Sequence, residues 1–161
     1  ETPTAGLTLE ELFAGRPVDI KQVLERLNRT ARDLGLPFGK RKRTYNSRLA
    51  HELGKLAEEQ GCGQRYHMAA FKAYFAKGLN IGLQSTLLDL GTSVGLPAQQ
   101  VLEVLEKRTF EDAVDKDWKR SYQSGVTAVP TFMINGISLV GAQPYEKLAQ
   151  LMESSGIMKR A

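Results

Sequence analysis

The chain has 161 residues, 42% hydrophobic and 25% charged, a composition typical of a globular protein with one or two domains. Its net charge is +4, and its single cysteine excludes both an internal disulfide and a C-x-x-C redox pair. We predict no membrane span, because no run of about 18 apolar residues occurs. The polar start at Glu1 lacks the features of a signal peptide, which favours a cytoplasmic setting, and a first residue other than Met is consistent with a trimmed start.

The first third of the chain predicts two helices and a basic loop. Thr8-Leu9-Glu10-Glu11 has the spacing of a capping box and begins a short helical turn. Asp19 caps a longer helix that ends at Gly35, and its apolar side chains recur at three- and four-residue steps. We expect this face to pack against another element; it comprises Ile20, Val23, Leu24, Leu27, Ala31 and Leu34. Residues 40–43, Lys-Arg-Lys-Arg, are expected to form an exposed loop.

The middle of the chain predicts four further helices, separated by Gly61, Gly78 and Gly95. We expect the second of them to bury several large side chains on an aromatic face. The apolar residues that define the four helices are Leu49, Ala50, Leu53, Leu56 and Ala57; Met68, Phe71, Tyr74 and Phe75; Leu87, Leu88 and Leu90; and Val101, Leu102 and Leu105.

The last third predicts a helix, a β-hairpin and a closing helix. Thr109 caps a helix that runs to Gly125, and Val114, Trp118 and Tyr122 are among its apolar residues. Two short β-branched and aromatic runs, residues 131–134 and 137–140, flank Asn135-Gly136, the pair most compatible with a type I′ turn. The closing helix follows Pro144 and carries Leu148, Leu151 and Met152.

The stretch GVTAVPTFMINGISLVGAQPYEKL, residues 125–148, resembles the C-terminal half of a thioredoxin fold. With residues 45–53, 58–61 and 73–81, it resembles the DsbA-like family that includes FrnE-type disulfide oxidoreductases and 2-hydroxychromene-2-carboxylate isomerases. The resemblance implies a mostly α fold with a small β-hairpin. Residues 1–106 would be a helical insertion domain, and residues 107–161 the C-terminal half of a thioredoxin-like (α/β) domain.

The resemblance implies a thiol–disulfide oxidoreductase, but this chain departs from the family where the chemistry is expected. The family's nucleophile lies near the N-terminus, at the end of a first strand that this sequence lacks. We therefore expect no catalytic residue here and no activity from the chain alone. A glutathione-dependent isomerase, whose nucleophile would also be upstream, and a non-enzymatic helical binding module remain alternatives. A C-x-x-C upstream would favour the oxidoreductase, and a lone serine the isomerase.

The substrate-binding residues implied by the resemblance are Val129 and Pro130. In thioredoxin-like proteins the corresponding proline is cis, and the residue before it pairs its backbone with an extended peptide or thiol substrate. An open strand edge beside the hairpin predicts self-association, or completion of the sheet by the missing N-terminal segment. We expect no metal and no cofactor, except glutathione if the protein is isomerase-like. No aromatic stacking platform or recognition-helix motif is evident near residues 40–43, so no specific nucleic-acid binding is expected. No membrane partner is expected either, since the chain has no long apolar run.

Three isolated residues have simple interpretations. Cys62 is expected to be an ordinary thiol, because it is far from the family's nucleophile position. His51 is expected to form an interhelical hydrogen bond. His67 has no cysteine or carboxylate at ligand spacing in the sequence and is expected at the surface.

Overall fold

The computed structural model describes residues 2–157; Glu1 and residues 158–161, at the ends of the two predicted domains, lie outside this description. The described part is mainly helical and has two small antiparallel sheets. The elements in chain order are β1 (Leu7–Thr8), α1 (Leu9–Leu12), α2 (Ile20–Asp33), β2 (Arg43–Thr44), α3 (Arg48–Glu59), α4 (Gly63–Phe71), a π-helical turn (Lys72–Ala76), α5 (Gln84–Ser93), α6 (Ala98–Lys107), α7 (Glu111–Gln123), β3 (Thr131–Ile134), β4 (Ile137–Val140) and α8 (Tyr145–Ser154). No helix within residues 2–157 combines the length and hydropathy that a membrane span requires.

The chain divides into two compact units, Glu1–Asp115 and Lys116–Ala161. The division follows Asp115, inside α7, and lies nine residues after the predicted boundary that follows residue 106. The identification of the two parts as an insertion domain and half of a thioredoxin-like domain stays a prediction.

The core of the first unit lies between α3, α4, α5 and α6. Gly91 permits the close approach of α5 and α6, since a Cβ at this position would lie 2.8 Å from Val101 Cγ2. The hydroxyl of fully buried Tyr66 donates a hydrogen bond to the backbone oxygen of Ala50 at 3.0 Å, so its polar end is satisfied. The central core side chains are Leu53, Leu56, Tyr66, Leu87, Val101, Val104 and Leu105.

A small sheet in the first unit corrects the prediction for the first third of the chain, where only two helices and a basic loop were expected. Leu7 pairs with Thr44 and Thr8 with Arg43, so β1 and β2 join segments far apart in sequence. Strands of two residues are too short to show a period-two pattern, which is why the sequence did not reveal them. The pairing also places Arg43 in a strand, where its Nη1 donates to the backbone oxygens of Ala5 and Gly6, rather than in the predicted loop.

The helix α2 begins as predicted but does not bury its apolar face as expected. The Asp19 carboxylate accepts a hydrogen bond from Gln22 N at 3.0 Å and caps the helix. Ala31 is its only buried residue, whereas Leu27 and Leu34 are 36% and 66% exposed. Periodicity predicts which side chains share a face, but it does not supply a partner for that face.

The expected aromatic face of α4 is also mostly exposed. The α-helix ends at Phe71 and gives way to the π-helical turn, which changes the angular spacing of the residues after it. Phe71 and Phe75 are 57% and 36% exposed, and the buried aromatic side chain of this segment is Tyr66. The prediction that this face buries several large side chains is therefore wrong.

In the second unit, the hairpin has the predicted strands and turn. Thr131 pairs with Val140 and Ile134 with Ile137. Asn135 and Gly136 have φ values of 49° and 79°, the positive values that a type I′ turn requires at both central residues.

Candidate functional site

The candidate site is the loop between α7 and β3, which ends in Val129 and Pro130. The peptide bond between these two residues is cis. The hydroxyl of Thr131 donates to Ala128 O at 2.6 Å, and Gly141 N donates to Pro130 O at 2.7 Å. These two bonds fix both sides of the Val129–Pro130 step to the hairpin.

The backbone of Val129 itself is unpaired within residues 2–157. The residue is 86% exposed, and its backbone N–H and C=O make no hydrogen bond with any of residues 2–157. An amide and a carbonyl held at a fixed loop position are suited to pair with an extended peptide. Sequence resemblance alone indicated this position, because Val-Pro dipeptides occur in many loops without function.

The strand that follows the loop also has unused pairing capacity. In the part of the chain that the structure describes, β3 pairs only with β4, so the opposite edge of β3 is open. Phe132 and Met133 on this strand are 38% and 43% exposed. An open edge next to an exposed Val129 offers backbone groups to an extended partner.

Cys62 lies in the first unit, immediately before α4, and is a core residue. Its side chain is only 4% exposed and packs in the same cluster as Leu53 and Tyr66. A buried thiol cannot approach the sulfur of a protein disulfide without local opening. This position agrees with an ordinary thiol, whose reactivity stays a prediction.

The two histidines lie on different helices, His51 on α3 and His67 on α4. His51 Nε2 lies 3.2 Å from the hydroxyl of Ser47, one turn earlier in the chain, and the interhelical hydrogen bond expected for His51 stays a prediction. Burial lowers the pKa of His51, and the positive charges of His67, Arg48 and Lys55 act in the same direction. His67 is at the surface as predicted, with its Nε2 3.9 Å from a carboxylate oxygen of Glu58.

A buried carboxylate network is the main polar feature that the sequence did not reveal. Glu52 is fully buried; its Oε1 accepts from Arg48 Nε at 3.1 Å and from Arg108 Nη2 at 2.6 Å, and its Oε2 accepts from Arg108 Nε at 2.7 Å. Arg48 also reaches Asp115, with Nη2 2.6 Å from Oδ1. The available signal was the position of Glu52 at helical spacing between the apolar residues Leu49 and Leu56.

This network is structural rather than catalytic. Both oxygens of Glu52 are occupied by guanidinium groups, and the residue is inaccessible to a substrate. Arg108, which ends α6 with a left-handed φ of 54°, is fixed by this bidentate pair. Within residues 2–157, no group of three or more histidine, cysteine, aspartate or glutamate side chains is arranged to hold a metal ion.

Comparisons with known proteins identify relatives of nearly the whole chain. A family model described as a DSBA-like thioredoxin domain matches residues 2–153. The uncharacterized protein YwbO of Bacillus subtilis is 36% identical over 95 residues, which are 58% of this chain and 48% of YwbO. The chain therefore spans about half the length of this curated relative.

Two solved structures share the fold. A Streptomyces coelicolor protein described as a probable DsbA oxidoreductase is 27% identical, with a TM-score of 0.82 over 95% of this chain and 69% of that chain. A 2-hydroxychromene-2-carboxylate isomerase is 19% identical, with a TM-score of 0.70 over 85% of this chain and 66% of that chain. At 19% identity the second comparison shows likeness of fold alone.

Proposed function

Because the chain belongs to the family of DSBA-like thioredoxin domains, we propose that it acts in thiol–disulfide exchange, as part of a DsbA-like oxidoreductase. The match confirms the predicted family and the mostly helical, thioredoxin-like fold with its small hairpin. The observation that carries the functional proposal is the exposed and unpaired backbone of Val129.

In this proposal Val129 and Pro130 bind the substrate. The N–H and C=O of Val129 pair with the backbone of an extended peptide and hold its disulfide in position, which is β-strand addition on a small scale. Such pairing is independent of the substrate's side chains and suits an enzyme that acts on many sequences. The chain's own Thr131 and Gly141 bonds keep the loop in place while the partner binds.

The reacting thiols belong to a part of the protein outside these 161 residues. In exchange, one thiolate attacks a substrate sulfur, the S–S bond breaks, and a substrate thiolate leaves. A second thiol, after losing its proton, then attacks the mixed disulfide; the substrate is released reduced and the two protein sulfurs form a disulfide. Cys62 is the only cysteine here and is buried, so it supplies neither thiol of the pair.

The isomerase alternative, which would use glutathione, has weaker support. Its structural relative is similar in fold alone, whereas the probable DsbA oxidoreductase is 27% identical and aligns over 95% of this chain. No observation on the described residues favours isomerisation over exchange.

Insulin reduction with dithiothreitol tests the exchange half of the proposal. We expect no acceleration by the 161-residue chain and turnover once the upstream segment encoded by the gene is restored. The variant Cys62→Ser should retain that turnover. Activity of the 161 residues alone would refute the assignment of the thiols, and inactivity of the longer protein despite an upstream C-x-x-C would refute the oxidoreductase.

Amide chemical shifts test the binding half independently of catalysis. An extended model peptide should shift the Val129 and Thr131 amide signals of the ¹⁵N-labelled chain and leave that of Val94, in the first unit, unchanged. The same peptide with N-methylated amides is the matched control, because it has the same side chains but cannot donate to the Val129 carbonyl. Equal shifts with both peptides would exclude donation to the Val129 carbonyl, and the absence of any shift at Val129 would exclude backbone pairing there.

A further inference from the structure

A basic recess of about 240 Å³ lies in the first unit, and its lining residues have no part in the function proposed above. It is formed by the segment that leads into β2 and by the end of the π-helical turn. Its lining residues are Lys40, Arg41, Lys42, Arg43, Tyr45, Tyr74, Lys77 and Gly78. The sequence places Lys77 more than thirty residues from the other cations, so only the fold brings these charges together.

The lining is positively charged: five cations surround the recess, and none of its lining residues within the described part of the chain, 2–157, is a carboxylate. Lys40, Arg41, Lys42 and Lys77 form no ion pair with any of residues 2–157. Like charges held together without counter-charges repel each other, and a bound anion relieves that repulsion.

Arg41 is positioned rather than free in solvent. Its guanidinium carbon lies 5.1 Å from the ring centroid of Tyr74 and 6.0 Å from that of Phe75. Its Nε is buried and has no hydrogen-bond partner among residues 2–157, although a buried N–H normally has one. A planar guanidinium with an unused N–H is suited to a bidentate bond with an oxyanion.

The aromatic wall is fixed by its own contacts. The Tyr74 hydroxyl donates to Thr44 Oγ1 at 3.1 Å, and the ring of Tyr45 meets that of Tyr74 edge-on at 6.4 Å. The π-helical turn places Tyr74 and Phe75 with their ring centroids 4.8 Å apart. The expectation that residues 40–43 have no aromatic platform nearby is therefore wrong, because the rings come from a distant segment.

We propose that this recess binds a phosphate group, either free inorganic phosphate or the phosphate of a small organic molecule. Several unpaired cations around one cavity suit a dianion better than a single carboxylate. The volume holds a phosphate and a few further atoms, below the range of about 300–1,000 Å³ that is usual for larger ligands. A recess of this size favours a small phosphate over the backbone of a long nucleic acid.

Isothermal titration calorimetry at low ionic strength, with inorganic phosphate and ribose 5-phosphate as probes, tests the proposal. We expect saturable 1:1 binding that Arg41→Gln and Lys77→Gln each weaken by about tenfold or more, the loss typical of one charge-assisted hydrogen bond. Tighter binding of ribose 5-phosphate would identify an organic phosphate as the ligand, and equal binding would identify free phosphate. Either result supports the site.

Two control variants distinguish a built site from diffuse charge. Arg29→Gln removes the same charge from the exposed surface of α2 and should leave binding unchanged. Arg41→Lys keeps the charge but loses the planar fork, so it should still weaken binding. Circular dichroism melts verify that each variant is folded, and Lys77→Gln serves if Arg41→Gln is not.

Three results would overturn the proposal. They are the absence of saturable binding, an equal loss in Arg29→Gln and Lys77→Gln, and tight binding of a single-stranded oligonucleotide that phosphate does not displace. The last result would assign the basic surface to nucleic acid instead, with the steep salt dependence of phosphate-backbone contacts.

Discussion

The two compact units differ in how they use their apolar residues. In the first unit, helices α3 to α6 pack around one core, and residues such as Leu53 and Leu87 are fully buried. In the second, the only buried hydrophobic side chain among the described residues is Leu151, while Ile137 and Val140 remain about half exposed. Well-formed local structure therefore does not imply a core, because a hairpin and a helix each need another layer to bury their apolar faces.

Among the changes that test this difference between the units, breaking the buried polar network of Glu52 should have the largest effect on stability. Glu52→Ala leaves Arg48 and Arg108 without their shared carboxylate, and we expect the free energy of unfolding of the first unit to fall by about 3–5 kcal/mol. Urea unfolding followed by far-ultraviolet circular dichroism measures the loss.

The matched control is Glu103→Ala, which removes a carboxylate that pairs with Lys107 at 2.8 Å on the exposed surface of α6. Solvent screens this pair, so we expect a change within about 0.5 kcal/mol. Similar losses for the two variants would contradict the structural role of Glu52.

Truncating one apolar side chain in each unit sharpens the contrast. Leu87→Ala removes a fully buried side chain and should cost about 2–5 kcal/mol. Ile137→Ala removes one that is 48% exposed, and its cost should stay below about 1.5 kcal/mol. Unfolding of the two units can be measured separately. The fluorescence of Trp118, the only tryptophan, reports on the second unit, and far-ultraviolet circular dichroism reports mainly on the helices of the first. A larger loss for Ile137→Ala would mean that the hairpin is buried in solution.

The exposed hairpin also predicts association. Its strands present Ile137, Val140 and an open edge, and such edges pair with other chains unless they are covered. We expect light scattering after gel filtration to show a mass that rises with concentration, and Ile137→Lys with Val140→Lys to suppress the rise. Leu34→Lys, on the exposed face of α2, is the control; suppression by this variant alone would place the contact on α2 instead.

Elements set by local sequence were predictable. The capping box of Thr8 and Glu11, the Asp19 cap and the Asn135-Gly136 turn all depend on residues within a few positions of one another. The type and order of the helices followed from their periodicity for the same reason.

Features set by long-range contacts were not predictable in this way. The β1–β2 pairing, the bond from Arg108 to Glu52 and the approach of Arg41 to Tyr74 each join residues at least thirty positions apart. No short-range pattern carries that information. Val129 and Pro130 were indicated only by resemblance to a family, and their role in binding is still to be tested.

The smallest expected effect is a dependence of first-unit stability on pH through His51. Burial lowers the pKa of His51 below its ordinary value of 6.5, so the folded chain binds the proton less readily than the unfolded chain. Well above pH 6.5 this residue is neutral in both states, and its full contribution to stability is present. As the pH falls below 6.5, the unfolded state takes up the proton first, and stability declines until the pH passes the lowered pKa of the folded state.

One group sets an upper limit of about 1.4 kcal/mol per pH unit on this decline, and because the His51 side chain is exposed to solvent, we expect the decline to stay well below that limit. Urea unfolding at pH 7.5 and pH 5.0 should show a larger loss for the wild-type chain than for His51→Gln, which retains a polar group near Ser47 without titrating. His67→Gln is the control, because it removes the other histidine of the chain, which lies at the surface beside Glu58. If His51→Gln and the wild type lose the same stability between the two pH values, titration of His51 does not contribute to the acid sensitivity of the helical core.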